Sequence, residues 1–170
     1  YLLGHLVTMR IFFILLETGT VCFLHLLLKY LQVDTKKVVW YALNPLIILE
    51  LVGNLHFEAF MIFGIVGCLY FLFVKENWFT AAIFFALAIN AKLLPLMVLP
   101  LLLPSLGVRK TIQFCGTTGV FVGVMFLPFL SQEMLVNISE SIGLYFKKFE
   151  FNASLYYIVR WIGFQVTGYN

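Results

Sequence analysis

The chain has 170 residues, of which 62% are hydrophobic, 18% are aromatic and only 11% are charged. Soluble globular chains are about 45–50% apolar and about 25% charged, so this composition excludes a soluble globular domain and predicts a membrane protein. The net charge of +3 comes from scattered basic residues, whereas nucleic-acid binding requires a clustered basic surface. No nucleic-acid partner is therefore expected.

Apolar runs separated by short polar segments predict an all-α, polytopic bundle of transmembrane helices over residues 1–130. About five to six spans are expected. Two of them are short, and the runs lie at 11–28, 38–52, 55–74, 78–91, 93–103 and 111–130. Glu17 and His25, inside the first run, are expected to face the bundle and bond neighbouring helices. Because the chain opens with Tyr1 inside apolar sequence, we expect it to be a piece of a longer multi-pass protein.

Two prolines predict breaks in this helical pattern. Pro45 lacks a backbone donor and clashes one turn back, so a bend is expected near Leu43. Pro95, three residues after Lys92, predicts that the runs 78–91 and 93–103 are two abbreviated helices that meet at the lysine. Non-helical backbone at such depth requires protein or a water-filled cavity beside it.

The last span and the segment after it have distinct patterns. Small residues give the run 111–130 a stripe suited to close helix packing, namely Gly116, Gly119 and Gly123. Over 135–149, apolar residues recur at steps of three and four between charged ones, which predicts an amphipathic helix in the membrane interface. Residues 131–170 are thus expected to form an interfacial or extracytoplasmic helix and loop, or the start of a further span.

The loops indicate an orientation. Alternate loops at 30–37, 75–77 and 104–110 fall on one side and contain Lys36, Lys37, Lys75, Arg109 and Lys110. The positive-inside rule assigns that side to the cytoplasm. The break at 53–56 and the elbow at 90–92 then lie on the extracytoplasmic side, where polar residues collect: Glu50, Asn54, His56, Glu58, Asn90 and Lys92.

Lys92 lies between two apolar runs, and a lysine against hydrocarbon without a partner is costly. Its ammonium is expected to pair with Glu50 or Glu58, to hold an anionic group such as a lipid phosphate, or to extend to the interface. Asn54 and Glu58 share a helix face if the helix starts by Asn54, which directs His56 elsewhere. One histidine with two glutamates at this spacing matches no metal motif, and no Gly-rich phosphate loop occurs. Neither a metal nor another cofactor is expected.

A family resemblance is carried by three stretches, NPLIILELVGNLHFE at 44–58, AKLLP at 91–95, and FEFNAS at 149–154 followed by Tyr156 and Tyr157. They resemble the bacterial polyprenyl-phosphate-mannose-dependent mannosyltransferases of the GT-C superfold. The resemblance implies a multi-pass enzyme of the bacterial plasma membrane with an extracytoplasmic active face. It also implies a general-base carboxylate in the first extracytoplasmic loop, which is expected upstream of this chain, so no catalytic residue is named.

What the resemblance implies for mechanism is a hypothesis. A hexose, expected to be mannose, moves from a polyprenyl-phosphate carrier to a lipid or glycan acceptor, with inversion at the anomeric carbon. Lys92, with His56, stabilises the departing phosphate. The remaining candidate substrate-binding residues bind sugar hydroxyls or orient the side chains that do so, and they are Asn54, Glu58, Asn90 and Glu50. The expected partners are membrane lipids, this sugar donor and the acceptor.

Two other classes stay open at this point. Broken helices with intramembrane polar residues near one level are also typical of a multi-pass transporter or flippase for a lipid-linked or polar solute. Inverted internal repeats favour transport, and no convincing repeat occurs in this sequence. A structural subunit of a larger membrane assembly, with polar groups that join helices, is the third interpretation.

Overall fold

A computed structural model describes residues 2–147, 160–165 and 168, and every regular element among them is helical. The chain divides into two compact units, Tyr1–Pro128 and Phe129–Asn170. In the first unit the helices are α1 at Leu2–Tyr30, α2 at Val38–Ala42, α3 at Glu58–Leu69, α4 at Trp78–Ala91, α5 at Leu99–Leu106 and α6 at Val108–Phe126. Wider π-helical segments occupy Ile47–Gly53 and Tyr70–Val74, and short 3₁₀ turns lie at Thr35–Lys37, Leu94–Met97 and Leu127–Phe129.

Among the residues that the structure describes, two helical segments are long and apolar enough to cross a membrane, Gly4–Tyr30 and Val108–Phe129. A third crossing results if Ile47–Gly53 and Glu58–Val74, which are bent by 110° at the break between them, count as one broken span. The apolar helix α4 is shorter than the ~20 residues of a full crossing. The all-α membrane bundle predicted from composition is confirmed, while the number of spans in the membrane stays a prediction.

Both predicted breaks are present. The helix α2 ends at Ala42, and the side-chain oxygen of Asn44 then accepts a hydrogen bond of 2.9 Å from the backbone N–H of Leu46. The helix α4 ends one residue before Lys92, whose backbone is extended (φ −155°, ψ 150°), and Pro95 lies in the following 3₁₀ turn. The proline signals therefore located the interruptions correctly.

The helices α3 and α4 pack closely along what we call the α3–α4 seam, formed by Gly64, Gly67, Phe84 and Ala88. A Cβ atom on Gly64 would lie 2.8 Å from the backbone nitrogen of Ala88 and from the backbone oxygen of Phe84. A Cβ atom on Gly67 would lie 2.2 Å from the ring of Phe84. At Gly64 only glycine fits without moving the helices apart, and at Gly67 any other residue would require the ring of Phe84 to move.

The glycine stripe predicted on α6 is not a packing surface within the described residues. A Cβ atom built on Gly116, Gly119 or Gly123 meets nothing within 4 Å. The helix packs against α4 through a different face, where Phe114 and Thr118 are buried. The prediction was wrong because spacing alone does not specify which face of a helix meets its neighbour.

Contacts along the helices define the two ends of the first unit. Phe13 packs on Phe57 before α3, and Phe23 packs on Tyr70 after it, with ring centroids 5.7 and 5.1 Å apart, so α1 and α3 run in the same direction. The helix α4 runs the opposite way, because its end at 91–92 lies beside the start of α3. The break at 53–57 and the end of α4 therefore meet at one end of the unit.

Glu17 is the buried carboxylate of the first unit, and its side chain accepts a hydrogen bond of 2.9 Å from the hydroxyl of Tyr41. Its other oxygen is buried and has no hydrogen-bond partner among the described residues. The expectation that this residue bonds a neighbouring segment is confirmed. The same expectation for His25 is wrong, because its side chain is exposed. His25 follows Phe23, which packs on Tyr70, by two residues, and two residues correspond to about 200° around a helix.

The second unit contains α7 at Gln132–Lys147, which begins three residues before the helix predicted at 135–149. Residues 148 and 149 of that prediction lie outside the described part of the chain, as do Tyr156 and Tyr157. Residues 160–165 are helical. The interfacial location of α7 stays a prediction.

Candidate functional site

A sharp chain reversal positions the candidate site. The π-helical segment ends at Gly53, and the backbone N–H of Asn54 donates a 2.9 Å hydrogen bond back to the carbonyl of Leu49. Leu55 then adopts φ 56°, a left-handed conformation that is uncommon for a bulky residue. The helix α3 begins only at Glu58. The polar side chains flanking this reversal consequently point toward one another.

Five side chains form what we call the polar cluster: Glu50, Asn54, His56, Glu58 and Lys92. The ammonium of Lys92 donates to Oε1 of Glu58. His56 lies between the two carboxylates, with Nδ1 3.6 Å from Oε2 of Glu58 and Nε2 3.8 Å from Oε2 of Glu50. Asn54 donates a 3.1 Å hydrogen bond from Nδ2 to Oε2 of Glu50. The contacts run continuously from the amide at one edge to the ammonium at the other.

The polar cluster is open to ligands. The charged and imidazole side chains remain 43% exposed at Glu50, 49% at His56, 32% at Glu58 and 48% at Lys92. Ion pairs at such exposure typically contribute about 0–1 kcal/mol to stability, so the fold does not depend on them. The polar cluster combines carboxylate and amide oxygens that accept hydrogen bonds, an imidazole, and one ammonium able to bind an anion.

The geometry settles some of the sequence-based alternatives. Of the two carboxylates expected to pair with Lys92, Glu58 is the partner, and Glu50 instead contacts Asn54 and His56. Asn54 and Glu58 were expected to share a helix face only if the helix started by Asn54, and that condition is not met, because α3 begins at Glu58 and the asparagine lies in the preceding turn. For the same reason His56 is directed between the carboxylates rather than away from them. The substrate-binding roles of these residues stay predictions.

Asn90, the remaining predicted site residue, lies apart from the polar cluster. Its Nδ2 donates to the carbonyl of Ala86 and to the sulfur of Met125, each at 3.0 Å. Its Oδ1 is buried and has no hydrogen-bond partner in the described ranges. These contacts join α4 to α6, so the structure assigns this amide to helix packing, and its predicted contact with sugar is untested.

No group of three or more histidine, cysteine, aspartate or glutamate side chains is arranged to hold a metal ion within residues 2–147, 160–165 and 168. The contact between Tyr41 and Glu17 was missed at the sequence level, although a carboxylate inside an apolar run was a visible signal that a partner was needed. Nothing in the spacing identified the tyrosine, because it lies on another helix, α2, which a loop separates from α1.

Residues 2–107 match the family described as alpha-(1->6)-mannopyranosyltransferase, N-terminal domain, the MptA/B family. Comparison with curated proteins and comparison with solved structures each give no match. The matched residues are more than half of the chain and include helices α1 to α5 with the entire polar cluster. The family is one of mannosyl-transferring glycosyltransferases, and the helices fit an integral membrane protein. The chain therefore belongs to the alpha-(1->6)-mannopyranosyltransferase (MptA/B) family.

Proposed function

We propose that this protein is a GT-C-type enzyme of the bacterial plasma membrane that transfers mannose from a polyprenyl-phosphate carrier to a lipid or glycan acceptor. The linkage formed is α-(1→6), following the description of the family, with inversion at the anomeric carbon. The observation that carries the proposal is the family match, whose residues include the polar cluster. No cofactor beyond the lipid-linked donor is invoked.

Lys92 is the proposed phosphate-binding residue. As the bond between the anomeric carbon and the carrier phosphate breaks, negative charge grows on the phosphate, and a cation fixed beside it lowers the barrier. The extended backbone at Lys92 and the end of α4 hold the base of this side chain, while about half of the side chain stays exposed. In the structure the ammonium of Lys92 is paired with Glu58. When the donor binds, its phosphate replaces that carboxylate as the partner of Lys92.

The carboxylates and the amide are the proposed sugar-binding groups. Once released from Lys92, Glu58 can accept hydrogen bonds from hydroxyls of mannose, as can Glu50, whose orientation is supported by Asn54. His56, held between both carboxylates, is within reach of the same ligand and has ring N–H groups to donate to the phosphate.

The polar cluster is proposed to face the extracytoplasmic side. The support is that the three basic loops lie at the opposite end of the first unit from the polar cluster. The break at 53–57 and Lys92 meet at one end. Tyr30, Glu76 and Lys110, one from each basic loop, line a cavity at the other end. The proposed donor agrees with this orientation, because lipid-linked sugars are the donors used on the extracytoplasmic side, where nucleotide sugars are absent.

The test uses the full-length protein in sealed right-side-out vesicles supplied externally with radiolabelled polyprenyl-phosphate mannose. We expect Lys92→Ala to lower transfer of label by about 100-fold, the effect of removing one group that stabilises developing charge. His56→Ala is expected to lower it less. Lys75→Ala, an exposed lysine after the α3 segment, is the matched control and should keep wild-type transfer.

Transfer that survives both cluster substitutions, in protein with a wild-type unfolding temperature, would show that the polar cluster is structural and that the site lies elsewhere. If no lipid-linked sugar gives transfer and a solute or lipid crosses the vesicle membrane instead, the transporter or flippase interpretation replaces the enzyme.

A further inference from the structure

Two adjoining cavities lie at the end of the first unit opposite the polar cluster. The larger is about 410 Å³, and its exposed wall is entirely apolar, formed by Leu24, Leu27 and Leu28 of α1 together with Leu69 and Phe73. Lipid-facing surfaces of membrane helices are apolar, but a concave one of this volume gives an acyl chain more contact than a smooth helix face.

The smaller cavity is about 250 Å³ and is polar, with Glu76, Trp78 and Lys110 in its lining. Tyr30 and Phe73 line both cavities, so the two share a wall. An apolar cavity and a polar cavity that adjoin in this way match the two parts of an amphiphile.

The arrangement also follows the depth profile of a membrane. The apolar cavity runs along residues 24–31, about 10 Å of the α1 axis, largely within the candidate span Gly4–Tyr30. The polar cavity lies where that span ends and where α4 and α6 begin, beside Tyr30 and Trp78. Tyrosine and tryptophan collect at the boundary between hydrocarbon and water. With Gly4–Tyr30 as a span, the polar part would lie at headgroup level and the apolar part deeper.

Charge in the polar cavity selects among headgroups. Lys110 supplies one cation and Glu76 supplies one carboxylate, and both side chains are exposed. In the part of the chain that the structure describes, no ion pair joins either of them to another side chain. One cation and one anion, each with hydrogen-bonding capacity to spare, match a headgroup that contains a phosphate and a primary ammonium.

We propose that this pair of cavities binds one zwitterionic phospholipid of the phosphatidylethanolamine type. An acyl chain lies along the leucines of α1, the phosphate contacts Lys110, and the ammonium contacts Glu76. A phosphocholine headgroup binds less well, because its quaternary ammonium has no N–H to donate to the carboxylate. The proposal concerns the end of the unit away from the polar cluster and does not depend on mannosyl transfer.

The experiment uses the full-length protein reconstituted in bilayer discs of equal parts phosphatidylethanolamine, phosphatidylglycerol and phosphatidylcholine, followed by native mass spectrometry of the released protein. We expect one retained phosphatidylethanolamine, favoured about tenfold over phosphatidylcholine, the scale of one hydrogen bond to a charged group. Glu76→Gln should remove that preference. Lys110→Gln should lower retention of every phospholipid about tenfold, whereas the adjacent Arg109→Gln should not.

Occupation of the apolar cavity is tested by Leu27→Trp, which fills it, beside Leu26→Trp, whose wild-type side chain is 38% exposed and does not line the cavity. Loss of lipid from the first variant alone supports the proposal. Wild-type protein that retains no lipid would mean that the cavities do not bind one, and equal retention by wild type, Glu76→Gln and Lys110→Gln would mean that the lipid is not held here. Either result overturns the proposal.

Discussion

The α3–α4 seam lies along the two helices and the polar cluster lies where α3 begins and α4 ends, and the two regions are built in opposite ways. In the seam, Gly64 and Gly67 bring the helices so close that a single added carbon would collide with the backbone or with a ring. At the helix ends, Glu58 and Lys92 are joined by an ion pair whose side chains remain 32% and 48% exposed. Van der Waals packing thus holds α3 and α4 together along the seam, whereas the side chains at the start of α3 and the end of α4 remain exposed.

This difference separates stability from ligand binding along one helix pair. Close packing of small residues is a main source of association between membrane helices, whereas exposed ion pairs contribute little. A substitution in the seam should therefore lower stability, and a substitution in the polar cluster should change transfer while the fold survives. The predictions below test that separation in order of decreasing effect on stability.

The largest effect is expected from Gly64→Ala. The new Cβ would lie 2.8 Å from backbone atoms of Phe84 and Ala88, which cannot rotate away, so the helices must separate. We expect a loss of about 1–3 kcal/mol in the free energy of unfolding, the usual cost of overpacking. Denaturant unfolding of the purified protein in mild detergent measures it. Gly116→Ala is the control, since nothing lies within 4 Å of that position, and it should leave stability unchanged or raise it by up to about 1 kcal/mol, because alanine favours a helix interior more than glycine does. Equal losses for both variants would mean that the seam is not where stability resides.

Features that depend on local backbone chemistry could be predicted from the sequence, whereas features that depend on tertiary packing could not. The proline breaks near Leu43 and Lys92 were predictable because a missing backbone donor acts locally. The seam was not, because Gly64 and Gly67 and the stripe on α6 offer the same small residues, and only tertiary packing decides which are used. The regular spacing of glycines pointed to α6, whereas the closely packed glycines are on α3.

The polar cluster was predicted in membership more accurately than in geometry. Its residues were identifiable because charged and amide side chains beside apolar runs are costly without a role. Their contacts were not, since α3 starts at Glu58 rather than at Asn54, and a start four residues later turns His56 between two carboxylates. The π-helical winding of Ile47–Gly53, which precedes this turn, has no signal in the sequence pattern.

An intermediate effect is expected from Tyr41→Phe. The hydroxyl of Tyr41 is the described partner of the buried Glu17 side chain, and its removal leaves a buried carboxylate without a donor. We expect a loss of about 1–2 kcal/mol in the free energy of unfolding, between the average interhelical hydrogen bond in a membrane protein and the cost of an unsatisfied buried group. The double variant with Glu17→Gln is the control, and it should lose less than the sum of the two single losses. Strict additivity would show that this contact does not couple the two segments.

The smallest effect on stability is expected from Glu58→Gln. The substitution removes one charge of the ion pair with Lys92 but keeps the shape of the side chain, so the free energy of unfolding should fall by about 1 kcal/mol or less. Raising the ionic strength should shrink even that difference, because salt screens the wild-type pair. Glu140→Gln, an exposed carboxylate on α7, provides the matched control. In the transfer assay, the freed ammonium should lower the KM for the lipid-phosphate donor, because the phosphate no longer competes with a carboxylate for Lys92, while the side-chain oxygen of the glutamine still accepts a hydrogen bond from a mannose hydroxyl. A loss of stability as large as that of Gly64→Ala would instead make the polar cluster part of the structural seam, and the division between the two regions would fail.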